Sequence, residues 1–148
     1  MKTLLIEKEK RRLTLSDGAR ILFSCPVALG KCPVGHKTRS GDLKTPEGAY
    51  FVCVKRGTGK FGPALGVSYP SPLDARAAGL DERTLAVFDQ TFLSRTRPPW
   101  GTALGGEIYI HGRGAQEDWT AGCIALNDGD MAALYLLAPC GADVLIAP

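Results

Sequence analysis

The chain predicts an α+β fold, mainly β, built as one domain over residues 1–148. Its 148 residues are 45% hydrophobic and 22% charged, enough for one core and too few for a second. Short runs of alternating apolar and polar residues, separated by Gly, Asp and Pro, dominate both ends of the chain. Two stretches, one central and one near the C-terminus, switch to a helical period. No internal repeat or low-complexity tract interrupts this pattern.

Element by element, "MKTLLIEKEK" holds only a Leu4-Leu5-Ile6 cluster before charge returns, far short of the ~20 apolar residues that cross a bilayer. It reads as neither a signal peptide nor a membrane anchor. The expected location is cytoplasmic for the sequence as it stands, or the cell envelope, periplasm or cell wall if an export signal lies outside it. Lys8, Lys10, Arg11 and Arg12 are interleaved with Glu9 and follow Glu7. With a net charge of only +3 and the other basic residues scattered, this is expected to be a solvated strand edge and not a nucleic-acid surface.

"RRLTLS" and "ARILFSCPVAL" flank "SDGA", and Asp-Gly favours a hairpin because both residues tolerate positive φ. Gly30 to Gly48 carries four glycines and two prolines, a loop composition, before "AYFVCVKRG" resumes as a strand. From Ser71 to Arg97 the apolar residues Leu80, Leu85, Val87, Phe88, Phe92 and Leu93 recur at helical spacing. Asp81 is the expected cap and Pro98-Pro99 the stop. "GGEIYIHG" is a short strand with Ile108 and Ile110 on one face and Tyr109 and His111 on the other. "NDGDMAALYLLAP" is a helix capped by Asn127 or Asp128 and stopped at Pro139 and Gly141, and "ADVLIAP" is a closing strand.

Five cysteines, at 25, 32, 53, 123 and 140, form no paired spacing, which argues against a disulfide framework and suits a reducing compartment or a thiol that must stay free. Histidine occurs only at 36 and 111. His111 ends a strand, and Cys123 follows after a glycine turn and precedes an apolar run, so the loop between them can return the thiol to the imidazole. A cysteine nucleophile needs such a partner, because the base stores the thiol proton and the imidazolium then stabilises the thiolate. With Gly112 and Arg113 as neighbours, the ring has to be oriented by a backbone carbonyl near Gly112. The amides of Gly122 and Cys123 can face a developing oxyanion, and Gly122 can let substrate backbone approach. The bland alternative is a buried small hydrophobe at 123 and a satisfied strand-end histidine at 111.

"YIHG" (Tyr109 to Gly112) and "TAGCIAL" (Thr120 to Leu126) resemble the signature of the L,D-transpeptidase catalytic domain of bacterial cell-wall enzymes. "PVALGK" and "KTPEG" resemble two further motifs of that family, and the match runs from about Arg12 to the end. The resemblance implies a β-sandwich of the L,D-transpeptidase type, with an inserted helical segment and a helix after the active-site cysteine. Ala121 and Ala125 depart from the family pattern, which has histidine and arginine there. These departures, with the helical stretch before "PPWGTALGGEIYIHG", resemble the branch that includes peptidoglycan amide hydrolases.

By this resemblance the partner is a peptidoglycan stem peptide, no cofactor or metal is needed, and Cys123, His111 and Gly112 form the catalytic set. Cys123 is the nucleophile that forms a thioester. Thr120, Gly122 and Arg113 are the candidate substrate-binding or oxyanion residues, with Arg113 as a carboxylate clamp. An amine acceptor makes the enzyme a transpeptidase, giving 3-3 cross-links or exchanged D-amino acids. Water makes it an L,D-carboxypeptidase or amide hydrolase.

Cys25, Cys32, His36 and Cys53 match no closed zinc spacing, and His36 is expected in a loop near the cleft mouth. The glycines around Gly30 and "GRGAQ" have neither Walker nor Rossmann context. Trp100 and Trp119 are expected to pack under loops in preference to stacking on sugar rings. A non-catalytic peptidoglycan-binding module is the competing class. It predicts that Cys123→Ser keeps ligand affinity and that the wild type turns nothing over.

Overall fold

In a computed structural model, which describes residues 1–148, β1 (Lys2–Glu7) and β2 (Arg12–Asp17) pair antiparallel. Leu4 lies opposite Leu15 and Ile6 opposite Leu13, and all four are fully buried. The period of two therefore places one face of this hairpin in the core, at about 1.5–3 kcal/mol for each large side chain removed from water. β3 (Arg20–Pro26) returns through the Asp17-Gly18 turn as expected, with Gly18 at φ +59.

β4 (Gly48–Arg56), β5 (Ala64–Val67), β6 (Tyr109–His111), β7 (Ile124–Ala125) and β8 (Asp143–Ala147) complete an eight-stranded sheet in the order β3-β2-β1-β8-β4-β5-β6-β7. β1 and β8 run parallel, so the two ends of the chain meet in the middle of the sheet. β1 and β5 lie outside the strands expected from sequence. β5 is buried at all four positions and so shows no alternation to read.

The basic run is not a strand edge. β1 ends at Glu7, and residues 8–11 turn the chain. Lys8 is only 2% exposed, and its ammonium donates to Gly35 O at 2.9 Å, Thr45 O at 2.8 Å and Glu47 Oε2 at 3.1 Å. Burial lowers its pKa below the usual lysine value, and these three acceptors offset the lost hydration. Lys8 thus fastens the hairpin to the long loop between β3 and β4.

The central helical stretch is two helices, α1 (Pro72–Ala77) and α2 (Glu82–Leu93), capped by Ser71 and Asp81. The second ends at Leu93, ahead of Pro98-Pro99, where Arg95 takes φ +57. Its apolar residues do not all face the core: Phe88 is buried, whereas Val87, Phe92 and Leu93 are exposed. No helix is long and apolar enough to cross a membrane.

α3 (Asp128–Leu137) follows β7, with Met131 and Leu134 buried. Asn127 occupies its cap position but its side chain caps nothing. It accepts instead from Ala115 N at 3.1 Å and Gln116 Nε2 at 2.9 Å, while Asp128 accepts from Arg113 N at 2.9 Å. Both expected caps tie down the loop after His111.

Candidate active site

β6 and β7 pair in parallel, Ile110 beside Ile124 and His111 beside Ala125, which brings Cys123 alongside Tyr109. Ile108, Ile110, Ile124, Ala125 and Leu126 are buried and hold the two strands, leaving Tyr109, His111 and Cys123 on a shared cavity of about 270 Å³. The Cys123 sulfur accepts from Tyr109 N at 3.3 Å, and the thiol donates to Glu107 O at 3.5 Å. The thiol and imidazole thus share a cavity, with the thiol proton resting on a carbonyl.

The His111 ring is 3% exposed. Its Nδ1 lies 2.7 Å from Gly112 O, and because a carbonyl can only accept, Nδ1 carries the proton and Nε2 of the neutral ring keeps its lone pair. Phe61 stacks on the imidazole at 4.4 Å between centroids and 17° between planes, and Trp119 meets it edge-on at 5.6 Å. Trp119 in turn donates to Gly114 O at 3.0 Å. Aromatic packing therefore orients the ring together with the carbonyl, and Phe61 had no sequence signal beyond being aromatic in a glycine-rich loop.

Burial pushes the Cys123 thiol up, and the opposing pull of the Tyr109 amide and the Lys37 ammonium is smaller. Burial pushes His111 below its ordinary 6.5, against the Gly112 hydrogen bond that raises it. Both shifts favour a neutral thiol beside a neutral imidazole at pH 7.

The turn before Cys123 is built on the β3–β4 loop. Leu29 N donates to Asp118 Oδ1, Thr120 N to Leu29 O, Lys31 N to Thr120 O and Gly30 N to Thr45 Oγ1. Arg11 locks Asp118 from outside, with an ion pair of 2.8 Å. Gly122 sits at φ +143, and a Cβ there would lie 2.8 Å from Lys44 O, so the glycine lets the chain's own β3–β4 loop pack against this turn. The Gly122 amide is also occupied, donating to Thr120 Oγ1 at 3.1 Å, while that hydroxyl donates to Cys123 O at 2.7 Å. Of the two amides expected to face an oxyanion, only that of Cys123 has no partner within the protein. Thr120, 4% exposed, braces the turn from beneath.

Beneath this turn Lys37 and Asp42 form a buried pair at 2.9 Å. Burial alone would raise the Asp42 carboxyl, but Lys37 and the amides of Thr38, Lys44 and Arg39 outweigh it and hold the pKa to about 2.

Two expectations are corrected by geometry. The Arg113 guanidinium does not line the Cys123 cavity: it donates to Lys60 O at 3.0 Å and faces a neighbouring depression beside Glu117 and Trp119. The cations that do line the cavity are Arg56 and Lys60, from the end of β4 and the loop after it. His36 is not at the cavity mouth. Its Nδ1 accepts from Glu47 N at 2.8 Å and its Nε2 lies 2.9 Å from Asp74, so it ties the β3–β4 loop to the first turn of α1. Cys25 is buried in β3, whereas Cys32 and Cys140 are exposed. Trp100 packs edge-on to Tyr109 at 5.7 Å and donates to Tyr69 O at 3.1 Å.

The family model for the L,D-transpeptidase catalytic domain, YkuD, matches residues 1–146. The chain belongs to this family. Among solved structures, a mutant form of the helical cell shape determining protein Pgp2 from Campylobacter jejuni is 25% identical, with a TM-score of 0.70 over 98% of this chain and 46% of that one. An L,D-transpeptidase from Mycobacterium smegmatis is 14% identical, TM-score 0.59, over 99% of this chain and 58% of that one. The L,D-transpeptidase of Stackebrandtia nassauensis is 16% identical, TM-score 0.60, over 99% and 55%. This YkuD chain therefore spans about half the length of these relatives and shares their mainly β fold. No curated protein matches it by sequence. Ala125 is fully buried and exchanges backbone hydrogen bonds with Ala28.

Proposed function

We propose that the chain is a cysteine-dependent L,D-transpeptidase acting on peptidoglycan stem tetrapeptides. The observation that carries this reading is that His111, its Nδ1 committed to Gly112 O, and Cys123 line one cavity. Nε2 of His111 accepts the thiol proton, and the thiolate attacks the carbonyl of the third stem residue's L-centre. The Cys123 amide is the available donor for the oxyanion. Collapse of the tetrahedral intermediate expels D-alanine, whose amine takes the proton back from His111, leaving a thioester. An acceptor amine then resolves the thioester as a new amide and regenerates the thiol.

Mass spectrometry of tetrapeptide muropeptides incubated with an excess of a free D-amino acid tests this, wild type beside Cys123→Ala. Exchanged or cross-linked products that vanish in the variant are expected. Cys123-dependent trimming without exchange makes the protein an L,D-carboxypeptidase or hydrolase. Ligand binding retained in Cys123→Ser with no turnover by the wild type makes it a binding module.

A further inference from the structure

Two of the five cysteines, distant in sequence, meet where β4 passes the turn between α3 and β8. Val52 N donates to Ala142 O at 2.9 Å, and Gly141 N donates to Val52 O at 2.8 Å. Two residues of the turn thus face one of β4, the arrangement of a β-bulge. Continuing that register by one residue sets Cys53 of β4 opposite Cys140. The Cys140 thiol donates to Val52 O at 3.5 Å, the oxygen of the peptide group that Val52 shares with Cys53. Both thiols are free, Cys140 exposed and Cys53 half-buried.

The turn is fixed from several sides. Ala142 N donates to Pro139 O at 3.2 Å, closing the turn over Gly141 at φ +91. Lys55 of β4 donates to Tyr135 O at 2.7 Å and Ala138 O at 2.9 Å. Arg95 donates to Gly141 O at 2.5 Å and to Asp143 at 2.9 Å. A disulfide needs Cα atoms about 4.4–6.8 Å apart, a range that includes residues facing each other on antiparallel strands. Burial pushes the Cys53 thiol up to about 11, and the neighbouring Cys140 sulfur adds to the rise.

We propose that Cys53 and Cys140 form a reversible disulfide site, oxidised by a low-molecular-weight disulfide. The exposed Cys140 thiolate attacks the external disulfide, forming a mixed disulfide and releasing one thiol. Cys53 then attacks the Cys140 sulfur, closing the Cys53–Cys140 bond and expelling the second thiol. Two protein thiols are oxidised, one external disulfide is reduced, and the thiol protons end on the two released molecules. Phe61, His111 and Cys123 all lie in the chain between the two cysteines, so the bond closes a loop around the candidate active site. Cys123 itself contacts Tyr109 and Glu107 and takes no part. The site is independent of the transpeptidase reading.

Oxidised glutathione, added to the folded chain at mildly alkaline pH, tests this. Peptide mass mapping without reduction is expected to show the Cys53 and Cys140 peptides linked, two hydrogens lighter than their sum. The melting temperature should rise by about 5–10 °C and return on adding dithiothreitol. Cys140→Ser, a change at an exposed turn position, should remove both the link and the rise. Cys53→Ser should leave Cys140 as a glutathione adduct. A wild type whose Cys140 carries glutathione, with no linked peptide, overturns the proposal. So does a link that forms as readily in urea as in the folded protein, or one that leaves the melting temperature unchanged or lower.

Discussion

At the scale of single residues, the site depends on protonation states and ring orientation more than on any preformed ion pair. Burial places the Cys123 thiol above the ordinary 9.0 and His111 below 6.5. Alkylation of Cys123 by iodoacetamide should therefore keep rising through pH 9, and a plateau at neutral pH would contradict a raised thiol. The proposed mechanism requires the unprotonated ring, so the acid limb of the kcat/KM profile should fall below pH 6.5. Phe61→Ala removes the stacked face of His111 from a loop position and should lower kcat by about tenfold with little change in melting temperature. A loss of folding in that variant would show that Phe61 holds the loop instead of orienting the ring.

The elements show where sequence patterns were informative. The hairpin at Asp17-Gly18, the strand ending at His111, the helix after the cysteine and the closing strand are legible because local chemistry decides them: alternation, turn residues and proline stops. β5 was not legible, because a strand buried at every position carries no alternation. Lys8 was misread for a related reason, since its charge predicts solvent exposure and only the fold supplies acceptors from residues 35, 45 and 47. Lys8→Met strands two backbone carbonyls and Glu47, and urea denaturation should find the protein about 2–4 kcal/mol less stable. An unchanged midpoint would mean that the loop re-solvates those acceptors at little cost.

Across the whole molecule, the turn bearing Cys123 is assembled from a loop some 80 residues earlier, and the Lys37–Asp42 pair is the centre of that junction. Asp42 has its folded pKa depressed from 3.8 to about 2, so its contribution to stability is complete above pH 3.8 and is lost as pH falls through 2. The loss is on the order of 2 kcal/mol. Replacing the pair with Lys37→Met and Asp42→Asn should flatten stability against pH between 4 and 2, measured by urea unfolding at each pH. The double variant is the informative one, since removing Asp42 alone leaves a buried cation unpaired.

The sequence by itself determined the strand and helix chemistry, the resemblance to L,D-transpeptidases and the candidacy of Cys123, His111 and Gly112, all of which rest on residues close together in the chain. Tertiary structure alone decided that Gly122 packs against Lys44, that Arg113 faces away, and that Arg56, Lys60 and Glu107 line the cavity. The physical reason is range. Periodicity and turn preference act over a few residues, whereas the walls of this cavity are brought together by strand pairings between β4, β5, β6 and β7, of which Ala64 with His111 joins positions 47 residues apart.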